Sequence, residues 1–100
     1  MNENDNENDP DIKYTLGDIK RIFAERVVMH PTQTSLKAGV VCEWVFTYPN
    51  GNILANVECS FPINPEHADY AIGCEVCREK IMYKLWEICG QYSLATGEKL

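Results

Sequence analysis

The chain has 100 residues, of which 45% are hydrophobic and 24% charged, a composition typical of one globular domain with a single modest core. It contains no apolar run of the roughly 18 residues that a membrane span needs and no basic-then-apolar segment at its start, which predicts a cytoplasmic location. The net charge is -6, yet from residue 12 onward ten acids face nine bases. A nearly neutral body argues against binding to duplex nucleic acid, which requires a basic face.

The N-terminal segment is predicted to be a disordered acidic tail over residues 1–12, followed by a single α+β domain over residues 13–100. The tail consists of Asn, Asp and Glu with one Pro and has almost no apolar side chains to bury. The domain begins with a helix from about Leu16 to Val27, because Thr15 and Asp18 have the spacing of a capping box. Residues 30–39 are predicted to be a connecting loop, with a short extended piece near Val28.

A β-hairpin is predicted on either side of Asn50-Gly51, a dipeptide typical of two-residue hairpin turns. Residues 40–48 and 53–61 both alternate apolar and other side chains. A two-residue turn places apolar residues of the two strands opposite each other on one face, in the pairs Val40 with Phe61, Cys42 with Cys59, Trp44 with Val57 and Phe46 with Ala55. On the other face it opposes Glu43 and Glu58, whose carboxylates are neutralised either by solvent or a nearby Lys or Arg, or by a ligand or partner.

A long C-terminal helix is predicted from Asn64-Pro65, a favourable helix start, to Cys89, with Gly90 as the C-cap. Its apolar arc is wider than contact with one sheet requires, which predicts a homodimer formed through the helix over residues 65–89. Trp86 is interpreted as a core residue, and residues 91–100 are expected to fray. Cys74 and Cys77 are three apart on this helix and fit core packing better than half of a zinc site or a redox pair.

The spacing of several short motifs resembles a bacteriophage protein family that includes the first type of Thoeris anti-defence proteins. The residues that carry the resemblance are Thr15, Asp18-Ile19, Cys42, Asn50-Gly51, Asp69, Ile72-Gly73, Arg78-Glu79, Lys84-Leu85-Trp86, Gly90 and Tyr92. The resemblance implies a non-enzymatic homo-oligomer in the cytoplasm of an infected bacterium. Such proteins sequester the cyclic ADP-ribose isomers made by bacterial TIR enzymes, with ligand held near the subunit interface. The chain departs from the family pattern at Asn52 and Ala68, where aromatic residues are usual.

A cyclic ADP-ribose-type nucleotide needs cationic groups for its pyrophosphate and aromatic faces for its adenine. The candidate ligand-binding residues, with Arg78 first, are Arg78, Lys80, Lys84, Tyr83, Phe61, Arg26 and Tyr92. Ordinary surface charges and internal ion pairs remain alternative explanations of the cationic residues. No catalytic, cofactor or metal site is predicted: His67, Glu43 and Glu58 lack a supporting motif. The alternative function is inhibition of a host protein by direct contact through the wide helix face or the acidic tail.

Overall fold

The computed structural model describes residues 13–100; the predicted acidic tail lies outside these residues. The elements in chain order are α1 (Leu16–Arg26), β1 (Val27–Gln33), β2 (Val40–Thr47), β3 (Ile53–Ser60), a 3-10 turn (Pro65–His67) and α2 (Tyr70–Thr96). The strands form one antiparallel sheet in the order β1-β2-β3. Both helices share a core with one face of this sheet. The predicted α+β arrangement of an N-terminal helix, a small antiparallel sheet and a long C-terminal helix is confirmed.

Helix α1 begins at the predicted capping box. The Asp18 backbone N–H donates to Thr15 Oγ1 at 3.1 Å, and the Thr15 N–H donates back to Asp18 Oδ2 at 2.9 Å. The bond from the Thr15 backbone is the main reason that the pKa of the Asp18 carboxyl lies below its ordinary value, and Lys99 adds to it. The cap therefore fixes where the helix starts, as the spacing of these two residues predicts.

The prediction of a loop over residues 30–39 is wrong for its first part, because α1 runs directly into strand β1 at Val27. Pro31 lies inside this strand, opposite Cys42. Proline has no N–H to donate, but β1 is an edge strand, where a missing donor leaves no ladder bond unmade. The connection between β1 and β2 is therefore limited to the residues between Gln33 and Val40. With β1 added to the predicted hairpin, the sheet has three strands.

The hairpin turn has three residues, Pro49-Asn50-Gly51, and the predicted two-residue turn is wrong. The Gly51 N–H donates to the Tyr48 carbonyl at 2.9 Å, and the Tyr48 N–H donates to the Asn52 carbonyl at 2.8 Å. Gly51 has a φ of 90°, which non-glycine residues rarely adopt. Proline fits the first central position of a type I turn, and Gly51 follows in the left-handed position of the three-residue hairpin. Pro49 therefore lengthens the turn by one residue.

The longer turn shifts the register of the hairpin by one residue and reverses the faces of β3. Val40 lies opposite Ser60, Cys42 opposite Glu58, Trp44 opposite Asn56 and Phe46 opposite Leu54, so the predicted pairs with Phe61, Cys59, Val57 and Ala55 are wrong. The predicted opposition of Glu43 and Glu58 is wrong for the same reason. Apart from Leu54, which packs against the core, the apolar residues of β3 point away from the helices, and its polar residues point towards them.

The core lies between the inner face of β2 and the two helices. Its buried residues are Ile19, Ile22, Val40, Cys42, Trp44, Phe46, Cys77, Ile81, Leu85, Ile88 and Cys89. Full burial of each aliphatic side chain of this size is worth about 1.5–3 kcal/mol. A methyl group on Gly73 would lie 2.5 Å from Val40 Cγ2. The glycine of the Ile72-Gly73 motif therefore allows α2 to approach β2 closely.

Helix α2 is displaced towards the C-terminus relative to the prediction. Asn64 and Pro65 begin only the 3-10 turn, and the helix is capped by Asp69, whose Oδ1 accepts from the Ala71 N–H at 2.9 Å. The helix continues through Gly90 and ends at Thr96. A glycine inside a helix costs only about 1 kcal/mol relative to alanine, which tertiary contacts easily exceed.

The tertiary contacts that extend α2 come from residues predicted to fray. Ser93 is buried, and its hydroxyl lies 2.8 Å from the Tyr14 hydroxyl. The Leu100 N–H donates to the same Tyr14 oxygen at 2.9 Å, and Arg21 donates to the Leu100 carbonyl at 2.9 Å. Residues 91–100 are therefore tied to α1, and the prediction of a frayed end is wrong.

Candidate functional site

Helix α2 carries more apolar surface than its own chain covers. Ile72 is 62% exposed, Tyr83 78% and Trp86 41%. The predicted excess of apolar width is therefore present, whereas the interpretation of Trp86 as a core residue is wrong. Tyr83 and Trp86 lie three residues apart and so share one side of the helix.

These two aromatic side chains border a groove between α1 and α2, on the side of the helices that faces away from the sheet. The groove has a volume of about 370 Å³, and we call it the helix groove; it is lined by Leu16, Glu79, Met82, Tyr83 and Trp86. Its volume falls within the range of small-molecule sites. Apolar and aromatic walls with a single carboxylate suit a flat ring that carries a hydrogen-bond donor.

Arg78 lies on α2 next to Glu79 of the helix groove. Its guanidinium carbon is 6.0 Å from the centroid of the Phe23 ring on α1, and its nearest carboxylate is that of Glu75 at 3.8 Å. Both members of this ion pair are about half exposed, so water screens it and it contributes little to stability. The guanidinium therefore remains accessible to an anion, and a planar fork of N–H donors suits a phosphate.

Two other predicted cations, Lys80 and Lys84, lie on a different side of α2, where it faces β3. Lys80 Nζ donates to the Cys59 carbonyl at 2.6 Å. Lys84 Nζ lies 2.8 Å from Glu58 Oε2, an ion pair without the alignment of a good hydrogen bond. Glu58 is only 8% exposed, so neutralisation of this carboxylate by a nearby lysine is the correct alternative. Both lysines hold the helix to the sheet.

The remaining predicted site residues make contacts in other parts of the molecule. Phe61 is half exposed and covers Gly39, at which a side chain would collide with its ring. Arg26 donates to the Thr47 carbonyl at 3.2 Å. Tyr92 stacks on Tyr48 with 6.2 Å between ring centroids. Of the seven predicted residues, only Tyr83 lines the helix groove in one protomer, and Arg78 lies on the same helix against Phe23 of α1.

The outer face of the sheet is a second uncovered surface, which the sequence prediction missed. We call it the bare sheet face; its outward side chains are Val28, His30, Thr32, Val41, Glu43, Val45, Thr47, Ile53, Ala55, Val57 and Cys59. A shallow groove of about 470 Å³ crosses it. The predicted register instead turned Ile53, Ala55, Val57 and Cys59 towards the inner face and opposed Glu43 to Glu58 on this one. Pro49 before Asn50-Gly51 was the signal that could have indicated it.

The cysteines are free thiols, and Cys42, Cys77 and Cys89 are buried in the core. Burial raises the pKa of all three thiols, and that of Cys89 to about 11. These thiols are therefore neutral at physiological pH and poor nucleophiles. Within residues 13–100, no three His, Cys, Asp or Glu side chains are arranged to hold a metal ion. The position of Cys77 agrees with the core-packing interpretation of the Cys74-x-x-Cys77 pair.

Comparison of the chain with protein-family models, with curated proteins and with solved structures finds no match. The likeness to the phage anti-defence proteins therefore depends on the motif residues alone. In the part of the chain that the structure describes, neither helix combines the length and the apolar content needed to cross a membrane.

Proposed function

We propose that the protein binds and sequesters a cyclic ADP-ribose-type nucleotide, without catalysis, in the cytoplasm of a phage-infected bacterium. The observation that carries the proposal is the exposed aromatic pair of Tyr83 and Trp86 in the helix groove, with the accessible guanidinium of Arg78 on the same helix. The motif resemblance supports it independently, because Arg78 and Trp86 belong to the motifs that suggest the family. Both lines of support converge on the outer side of α2.

The chemistry of the helix groove fits the two parts of such a nucleotide. The adenine stacks on Tyr83 or Trp86, where a base–aromatic contact is worth about 1–3 kcal/mol. The Glu79 carboxylate accepts from the exocyclic amine, which is a donor. Arg78 donates to the pyrophosphate. The acid–base candidates do not converge there: His67 lies in the 3-10 turn, and Glu58 is paired with Lys84 on the sheet side.

A second copy of the chain would close the helix groove, which is open in a single protomer. The exposed apolar side chains of α2 are Ile72, Tyr83, Trp86 and Leu94. Burial of large apolar side chains drives association, so a homodimer formed through α2 places two grooves against each other. This arrangement holds the ligand near the subunit interface and excludes water from it, as the resemblance implies.

Isothermal titration of the purified protein with individual cyclic ADP-ribose isomers tests the proposal. Tyr83→Ala should weaken binding about 5- to 150-fold, the equivalent of 1–3 kcal/mol of stacking. Leu36→Ala is the control, since Leu36 is 72% exposed in the connection between β1 and β2, outside α2 and the helix groove. Equal affinity of wild type and Tyr83→Ala, or no heat with any isomer, contradicts the proposed site or ligand class.

The second candidate function is inhibition of a host protein by direct contact. The exposed apolar side chains of α2 favour it, because large uncovered apolar patches mark protein interaction sites as well as ligand sites. This function predicts that one host polypeptide co-purifies with the tagged protein and that Trp86→Ala releases it. It also predicts no thermal shift with nucleotides, because only a bound ligand raises the stability of the folded state.

A further inference from the structure

We propose that the bare sheet face binds the same face of a second copy of the chain, as an interface separate from α2. The three strands have helices on one face only, and on the other Val28 is 69% exposed, Ile53 64% and Val57 48%. Antiparallel sheets with one solvated face usually carry polar residues there. This face instead carries mainly small aliphatic side chains, so it resembles the inner face of a β-sandwich whose second sheet is absent.

Each edge of the sheet carries features that oppose strand addition, which favours the face as the surface for pairing. On β3, the Val57 N–H donates a hydrogen bond to the Asn56 side chain at 2.8 Å, and Lys80 Nζ donates one to the Cys59 carbonyl. On β1, Pro31 has no N–H, and its carbonyl accepts from the Tyr70 hydroxyl at 3.2 Å. A proline on an edge strand, and side chains that hydrogen-bond to the free backbone groups of that strand, both hinder pairing with another strand. Pairing through the face is therefore favoured over pairing through an edge.

The charge on the bare sheet face favours an identical partner. Its only carboxylate, Glu43, lies directly opposite its only imidazole, His30, on the neighbouring strand. A strongly acidic partner would find no lysine or arginine there, and a strongly basic one would find a single carboxylate, whereas a second copy offers the same largely apolar surface. Residues 13–100 hold ten acids and nine bases, so most of the repulsion between two copies comes from the acids that precede residue 12.

The size of the face sets the expected strength of the contact. Three strands spaced about 4.8 Å apart and about 26 Å long give a flat footprint of about 400 Å². This is about half of the roughly 800 Å² that each partner buries in a standard interface. The contact is therefore expected to be reversible and dependent on concentration.

Sedimentation velocity over a wide range of protein concentration tests the proposal with two substitutions of opposite expected effect. Ala55→Lys places an ammonium group in the groove that crosses the face, and the concentration at half-association should rise by about tenfold or more. Glu43→Gln removes the only carboxylate that the interface would desolvate, so half-association should occur at a lower concentration than in wild type. Ala24→Lys, on the exposed side of α1, is the control and should associate as wild type does.

Unchanged association in both face variants overturns the proposal, as does a wild-type chain that stays monomeric at all concentrations. A monomeric chain that instead captures a host polypeptide, and loses it in Ala55→Lys, assigns the face to a foreign protein and overturns self-association. Because the helix groove lies on the opposite layer, Ala55→Lys should bind nucleotide as wild type does. Loss of sheet-face pairing is therefore distinguishable from failure of the nucleotide site.

Discussion

The ion pair between Lys84 and Glu58 should contribute to stability because it keeps a buried carboxylate neutralised. Removing one partner of a fully buried pair costs about 3–5 kcal/mol. The Lys84 side chain is 42% exposed, so screening by water reduces the expected cost of Lys84→Met to about 1–3 kcal/mol. For a domain of this size, each kcal/mol lowers Tm by about 4–8 °C.

Urea unfolding, followed by the fluorescence of the buried Trp44, measures this cost. Lys20→Met on the exposed side of α1 is the control and should change the free energy of unfolding by no more than about 0.5 kcal/mol. The double variant of Lys84→Met with Glu58→Met should recover most of the loss, because no unpaired charge remains. A coupling energy below about 0.5 kcal/mol, or equal losses in Lys84→Met and the control, would refute the assignment of this lysine to the fold.

Two further predictions concern packing and pH. Gly73→Ala should lower the free energy of unfolding in urea by about 1–3 kcal/mol through its collision with Val40, whereas Gly90→Ala, in open space inside the helix, should raise it by up to about 1 kcal/mol. A destabilising Gly90→Ala would contradict the continuation of α2 to Thr96. Burial raises the pKa of the Cys89 thiol from 9.0 to about 11, so the unfolded chain loses this proton first as pH rises. The stability that the neutral thiol contributes is therefore present below pH 9 and is lost between pH 9 and 11. Over this range the Tm of wild type should fall more steeply with pH than that of Cys89→Ala, and parallel plots of Tm against pH would contradict a contribution from the thiol.

Patterns that act over short distances predicted the fold class and the start of α1. The Thr15–Asp18 capping box works within one helical turn, and the alternation along β2 identified its inner face without reference to a partner strand. The register of the hairpin depended on a single residue, because Pro49 selects the three-residue turn over the two-residue one. That choice reversed every side chain of β3 and concealed the bare sheet face.

The end of α2 and the partners of its lysines could not be predicted from local signals. Glycine at position 90 costs a helix about 1 kcal/mol relative to alanine. The contact between Ser93 and Tyr14, which are 79 residues apart in sequence, outweighs this cost. Lys84 has Glu87 and Glu79 as neighbours in sequence, yet it pairs with Glu58 on a strand. The apolar excess of α2 was predictable because it depends only on helical periodicity, and it is the feature that defines the helix groove.

Recovery of intact nucleotide from the protein tests the proposed sequestration most directly. The protein is incubated with the product of a bacterial TIR enzyme, separated from free ligand by gel filtration, and denatured by heat. Chromatography should then show an unmodified cyclic ADP-ribose isomer in a fixed ratio to the chain, and Tyr83→Ala should release much less. Recovery of no nucleotide from wild type, or of a chemically altered product, would contradict non-catalytic sequestration.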